Sequence, residues 1–218
     1  GTEGKEIKRT EKVLKINQKD HAQGHILPDV QSWLKLGPTG ILKTFAQAKN
    51  KETDADKQLF YDSVCISLEG AISFISRYTL FALELAENSD SEKTKEHFQK
   101  VSCICKNCAN QPPETFHEAV QSIWFLFVLL QLESNASSFS PGRMDQYLYP
   151  YYKNDIEQGI LTKEEALELI SSLWLKFNEI VYLRNAHSAK FFAGFPIGFN
   201  VALGGVDENG NSAVNELS

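Results

Sequence analysis

The stretch PETFHEAVQSIWFLFVLLQL, residues 113–132, governs the architecture of this chain. Pro112-Pro113 ends whatever precedes it, because proline has no N–H to extend a helix and restricts the residue before it. Thr115 and Glu118 then have the spacing of a capping box, in which Thr115 accepts from the Glu118 amide and Glu118 reaches back. The helix so opened, from Phe116 to about Leu132, is apolar on nearly every side and is expected to be buried all round. Its greasiest part, Ile123 to Leu132, is about half of what a bilayer span needs. It reads as a core helix, and no membrane is expected.

Working upstream, Phe98, Val101 and Ile104 mark a helix that runs into Cys103, Cys105 and Cys108 and stops before the proline pair. Before the polar break Asn88-Ser89-Asp90-Ser91, the residues Phe60, Val64, Leu68, Ala71, Ile72, Ile75, Thr79, Ala82 and Ala86 recur every three or four positions. That period predicts one helix over about 54–87, with Cys65 in its core stripe. A short helix through Trp33 and Leu36 is expected to end at Gly37-Pro38. Gly24-His25-Ile26-Leu27-Pro28-Asp29 reads as extended, since Pro28 biases Leu27 away from the helical region. Residues 1–20 alternate lysines and acids with few apolar side chains, as a solvated arm.

Downstream, residues 133–160 are rich in Ser, Asn, Pro, Gly and Tyr and read as a long irregular segment, a length that usually carries function. Thr162 to Glu165 form a second capping box, opening a helix with Ala166, Leu169, Ile170, Leu173, Phe177 and Ile180 on one face. Phe195 to Leu203 reads as a strand, with a hairpin suggested by Gly204-Gly205 and Asn209-Gly210. Ser212 reads as the cap of a helix that the chain leaves after one turn, so truncation of a longer domain is expected. The fold class is mainly α with a few strands.

The 218 residues are 42% hydrophobic and 23% charged, which excludes disordered and low-complexity classes. A net charge of -6 argues against nucleic-acid or anionic-membrane partners and leaves small molecules or proteins. Four cysteines, three of them crowded together, do not form a secreted disulfide framework, and a reducing cytoplasm is expected. One C-x-x-C knuckle without a second pair reads as helix packing, the alternative being a zinc site completed by His97 or His117. No phosphate-binding glycine loop, G-x-S-x-G elbow or H-E-x-x-H motif occurs. His25 and Asp29 in their extended loop, and the polar run 133–146, are the candidate functional segments. Polar groups beside a buried helix need partners, which either a substrate pocket or an internal hydrogen-bond network would supply.

These segments, with Glu133-Ser134-Asn135, Ser140-Pro141-Gly142-Arg143-Met144-Asp145-Gln146 and Asn215-Glu216-Leu217-Ser218, resemble the pyruvate formate-lyase-like glycyl radical enzymes. The likeness is greatest to the B12-independent glycerol and diol dehydratases and choline lyase. It implies that residues 21–218 are part of an α/β barrel domain truncated at its C-terminal end. It also implies a lyase or dehydratase cleaving a C–O, C–N or similar bond in a small polar substrate. In that family a glycyl radical, installed by an activating enzyme that uses S-adenosylmethionine and an iron–sulfur cluster, generates a cysteine thiyl. None of Cys65, Cys103, Cys105 and Cys108 follows a glycine, and Arg-Val-x-Gly is absent, so the chain alone is expected to be inactive and to bind no cofactor. By the resemblance, Ser137 and Ser138 stand where diol dehydratases place a substrate-binding His-Ser pair, and His25 and Asp29 come from the opposite pocket wall. The rival expectation is a noncatalytic helical scaffold or protein-interaction module derived from that fold. Self-association or homo-oligomer formation is expected from the apolar helix and strand.

Overall fold

A computed structural model describes residues 25–134, 138–180 and 199–218; the arm 1–20 and the start of the expected strand lie outside them. The described residues hold six helices: α1 (Val30–Lys49), α2 (Ala55–Glu87), α3 (Glu92–Asn110), α4 (Phe116–Ser134), α5 (Met144–Glu157) and α6 (Lys163–Phe177). Among these residues there is no strand, only three isolated bridges, so the expected few strands reduce to single backbone pairings.

Helix α4 is the element the others pack around. Its first three turns bury Phe116, Ala119, Val120, Ile123, Phe125 and Phe127. Burial on every side does not hold beyond that, because the later turns from residue 128 are half-buried or exposed. Its capping box forms as the spacing predicts, with Glu118 N–H donating to Thr115 Oγ1 at 3.2 Å and Thr115 N–H to Glu118 Oε2 at 3.3 Å. The Phe116 N–H donates to the buried Asp155 carboxylate at 2.7 Å, so the end of α5 caps the start of α4. On the α1 side, Trp33 Nε1 donates to Ser122 Oγ at 2.9 Å. On the α6 side, Phe177 meets Phe127 edge-on at 5.3 Å between ring centres.

Several elements differ from expectation. Gly37-Pro38 does not end α1; it kinks it. Gly37 has φ +62°, and a Cβ there would lie 2.9 Å from the Gln111 carbonyl oxygen, so glycine lets the kink sit on the turn after α3. Pro38 then opens the second limb at a position where a helix needs no proline N–H. The segment 133–160 is not irregular throughout, since α5 runs through Pro150 because burying Leu148, Tyr152 and Asp155 outweighs one missing helical N–H. Ser212 caps no helix. Residues 215–218 close a turn instead, with Leu217 N–H on Asn215 Oδ1 at 2.9 Å and Ser218 N–H on the Asn215 carbonyl at 3.0 Å. The short side chain of Asn215 offers its own backbone a partner that competes with a helix.

Helix α2 spans the expected residues but is only partly covered. Ala71, Ile75, Ala82 and Ala86 are buried, whereas Leu59, Phe60, Ile66, Leu80 and Phe81 are exposed. Cys65 is half-buried, not core. Among the described residues α2, rather than Ile123 to Leu132, is by length and composition the stretch apolar enough to cross a membrane, a property that core helices share. Helices α1 and α3 pack along it.

Cys105 and Cys108 are buried against α4, where the Cys108 thiol donates to the Glu118 carbonyl at 3.5 Å. Burial raises the Cys105 thiol to about 11. Cys103 is exposed, so the knuckle residues do not converge, and no group of three metal-ligating side chains occurs among the described residues.

His117, in the first turn of α4, is pulled from 6.5 down to about 4 by burial, assisted by the charges of Lys100 and His97 and opposed by Glu118. Between those values the unfolded chain binds the proton and the folded one does not. Stability should therefore fall as pH drops from about 6.5 to about 4. Melting temperatures followed across that window should decline, and the decline should flatten in His117→Gln. A wild-type profile that is flat through it would contradict this account of His117.

Candidate functional site

The candidate site forms where three stretches distant in sequence meet. Ile26 pairs in parallel with Phe139, its N–H donating to the Ser138 carbonyl at 3.2 Å and its carbonyl accepting from Ser140 N–H at 3.0 Å. Gly142 pairs in parallel with Val201, through Ala202 N–H on the Gly142 carbonyl at 2.9 Å and Gly142 N–H on the Asn200 carbonyl at 3.4 Å. Ser140 Oγ accepts from Asn200 N–H at 3.2 Å. Residues 138–142 are thus held as a middle line between 25–27 and 200–202.

Ser138 is fully buried in this line. His25 is exposed and adopts φ +56°, a left-handed conformation uncommon outside glycine. The Ile26 pairing places His25 one residue from the partner of Ser138, so these two predicted residues share one place in the fold. Ser137 lies outside the described residues. Asp29 does something else: it is the N-cap of α1, with Oδ1 accepting from Ser32 N–H at 3.0 Å. The Ser32 bonds hold its carboxyl below the usual range.

Two residues that sequence reasoning left without a role are prominent here. Asp145 is buried, and its Oδ2 accepts from Gly204 N–H at 2.6 Å and from the Ser218 hydroxyl at 2.5 Å. Burial pushes its carboxyl up, but the bonds from Ser218 and Gly204, the neighbouring Gln146 side chain and the Arg143 charge outweigh this and leave it below its ordinary value. Arg143 donates to the carbonyls of Gly204 at 2.6 Å and Val206 at 3.2 Å. Nearby, Tyr147 donates to the Pro141 carbonyl at 2.9 Å, and burial raises its phenol well above the ordinary range. The only available sign of these partnerships was the polar run itself, because the partners lie some sixty residues away.

The sequence matches the pyruvate formate lyase-like family over residues 2–218. The chain belongs to that family. It is 35% identical over its whole length to a (2S)-3-sulfopropanediol dehydratase from Klebsiella oxytoca, and spans 27% of that protein. Over 90% of its length it superposes on the glycerol-bound B12-independent glycerol dehydratase of Clostridium butyricum, with TM-score 0.83 and 36% identity, covering 25% of that chain. A glycyl radical enzyme from Archaeoglobus fulgidus gives TM-score 0.82 at 31% identity over 95% of this chain and 28% of its own. The chain therefore spans about a quarter of the length of these relatives.

Gly142 is the tightest point of the middle line. It has φ +68°, and a Cβ there would run into Leu27 Cδ1. Gly142→Ala should cost about 1–3 kcal/mol through backbone strain and this clash. Urea denaturation should show a lower midpoint with an unchanged slope; a midpoint equal to wild type would mean that neither the left-handed backbone at 142 nor Leu27 opposes a side chain there.

Proposed function

We propose that this chain contributes one wall of the substrate pocket of a glycyl radical lyase or dehydratase acting on a small polar substrate. The observation that carries the reading is the pairing of Ile26 with the line through Ser138, which joins the two segments expected to face the substrate. In this reading Ser137 and Ser138 meet substrate hydroxyl or charged groups, and His25, which the Ile26 pairing sets beside Ser138 rather than on an opposite wall, flanks them. Asp29 contributes by anchoring the His25 segment to α1. The radical chemistry is hydrogen-atom abstraction by a thiyl, generated from a glycyl radical that a radical S-adenosylmethionine activating enzyme installs. This chain's residues take the binding part: Ser138 offers one hydrogen bond, and the buried Phe139 next to it keeps water from the core side. None of its four cysteines lies on the segments that form the site, so the thiyl position falls in another part of the protein. The setting is a reducing cytoplasm, in keeping with four cysteines that form no secreted disulfide framework.

The exposed face of α2 favours a second reading, a scaffold whose role is protein contact, since large apolar patches mark interaction surfaces. In either reading this chain on its own should self-associate. Sedimentation showing a single monomer at high concentration would contradict that.

The enzyme reading is tested with a polypeptide that carries this chain within a family-length sequence. Anaerobic incubation with a matching activating enzyme and S-adenosylmethionine should give an EPR doublet with glycyl hyperfine structure, whereas the 218-residue chain should give none. A doublet from the short chain, or none from the long one, would overturn the proposal. Ser138→Ala should then lower kcat/KM about two- to twelvefold, the range of one hydrogen bond worth about 0.5–1.5 kcal/mol. Ser137→His should shift preference toward small diols; unchanged kinetics in both variants would make the loop structural.

A further inference from the structure

Arg143 and Asp145 grip both polar backbone groups of a single residue. Arg143 Nη2 takes the Gly204 carbonyl and Asp145 Oδ2 takes the Gly204 N–H, each at 2.6 Å. The same short stretch reaches the end of the chain: the Asp145 carbonyl accepts from Asn215 Nδ2 at 3.0 Å, and Gln146 Nε2 donates to the Ala213 carbonyl at 2.7 Å. Both side-chain bonds of Asp145 converge on Oδ2. Its Oδ1 is buried with no hydrogen-bond partner among the described residues, so the bonds to the carboxylate from Gly204 and Ser218 fall on one oxygen.

Among the described residues, the line 138–142 is joined to 200–202, apart from the grip, by two backbone bonds and the Ser140 bond. Each neutral bond of that kind is worth about 1 kcal/mol, and so short a pairing specifies register weakly. A slip by one residue would exchange the inward and outward side chains of the whole line. A slip is not available to Gly204, because its N–H and carbonyl must meet two charged partners at once, and charge-assisted bonds are roughly twice as strong as neutral ones.

We propose that Asp145, together with Arg143, is a positioning residue: by gripping Gly204 it fixes the register of residues 199–206 against Ser138–Gly142 and so holds Ser138 in the pocket wall. This rests on the reading of Ser138 as a pocket residue. The grip itself is tested on the 218-residue chain by amide hydrogen exchange, which requires no turnover. In Asp145→Asn, the amides of Gly142, Ala202 and Gly204 should exchange at least about tenfold faster while those of α2 and α3 keep their rates. Arg143→Lys, which keeps the charge but loses the planar fork, should accelerate the same three amides, and it serves if Asp145→Asn does not fold. Unchanged rates at the three amides, or an equal rise in every helix, would overturn the inference.

In the activated family-length enzyme, Asp145→Asn should raise KM about tenfold with kcat and glycyl radical yield unchanged. A wild-type KM would show that the grip does not serve Ser138 and would equally overturn it. Failure of the wild-type enzyme to form a radical or turn over, with the exchange result intact, would instead defeat the functional reading and with it the pocket role given to the grip.

Discussion

The start of a helix leaves backbone N–H groups with no partner inside the helix, and at the start of α4 Phe116, Glu118 and Ala119 are buried, so theirs must be met by the protein. Asp155 takes Phe116, Thr115 takes Glu118 through its hydroxyl and Ala119 through its carbonyl, and Glu118 turns back to Thr115 and Glu114. Glu118 also accepts from Asn107 Nδ2 at 2.6 Å. Three elements thus meet at one helix end: the α3 terminus through Asn107, the capping box itself, and α5 through Asp155. Because these partners are satisfied, α4 can run through the core, and α1 and α6 can close on it through Trp33 and Phe177.

The site follows from the same constraint. Once α4 is pinned at its start, its far end delivers the chain to Ser138 beside the core, and α5 must return so that Asp155 reaches Phe116. The line 138–142 is stretched between those two fixed points. Its only backbone neighbours among the described residues are the short pieces 25–27 and 200–202, too brief to form strands. Charged side chains supply the definition that a longer sheet would give, with Arg143 and Asp145 closing on Gly204. The exposed face of α2 shows the other side of the same economy: α1 and α3 cover only part of a helix of 33 residues.

The helices with a strong period or a capping box, α2, α3, α4 and α6, could be read from the sequence because local signals and burial agree there. Helix α5 could not. Gly142, Pro141 and Pro150 look like breakers, and the long-range burial of Leu148, Tyr152 and Asp155 that overrides them leaves no local trace. The kink at Gly37 was visible as punctuation but not as a continuation, since only the Gln111 turn explains it. Of the candidate site, His25 was singled out by its extended loop and Ser138 by the family motifs, and the fold brings their two segments together. That Asp29 caps α1 was readable in principle from its position before Val30, whereas the grip on Gly204 joins residues far apart and needed the fold.

The central claim is that the line through Ser138 is one wall of a small-molecule pocket. The most direct measurement is a crystal structure of the family-length protein with a small polyol bound. The account predicts a ligand oxygen within hydrogen-bond distance of Ser138 Oγ, with the Ile26 and Val201 pairings on either side intact. A ligand bound elsewhere, with Ser138 Oγ turned wholly to protein partners, would contradict it.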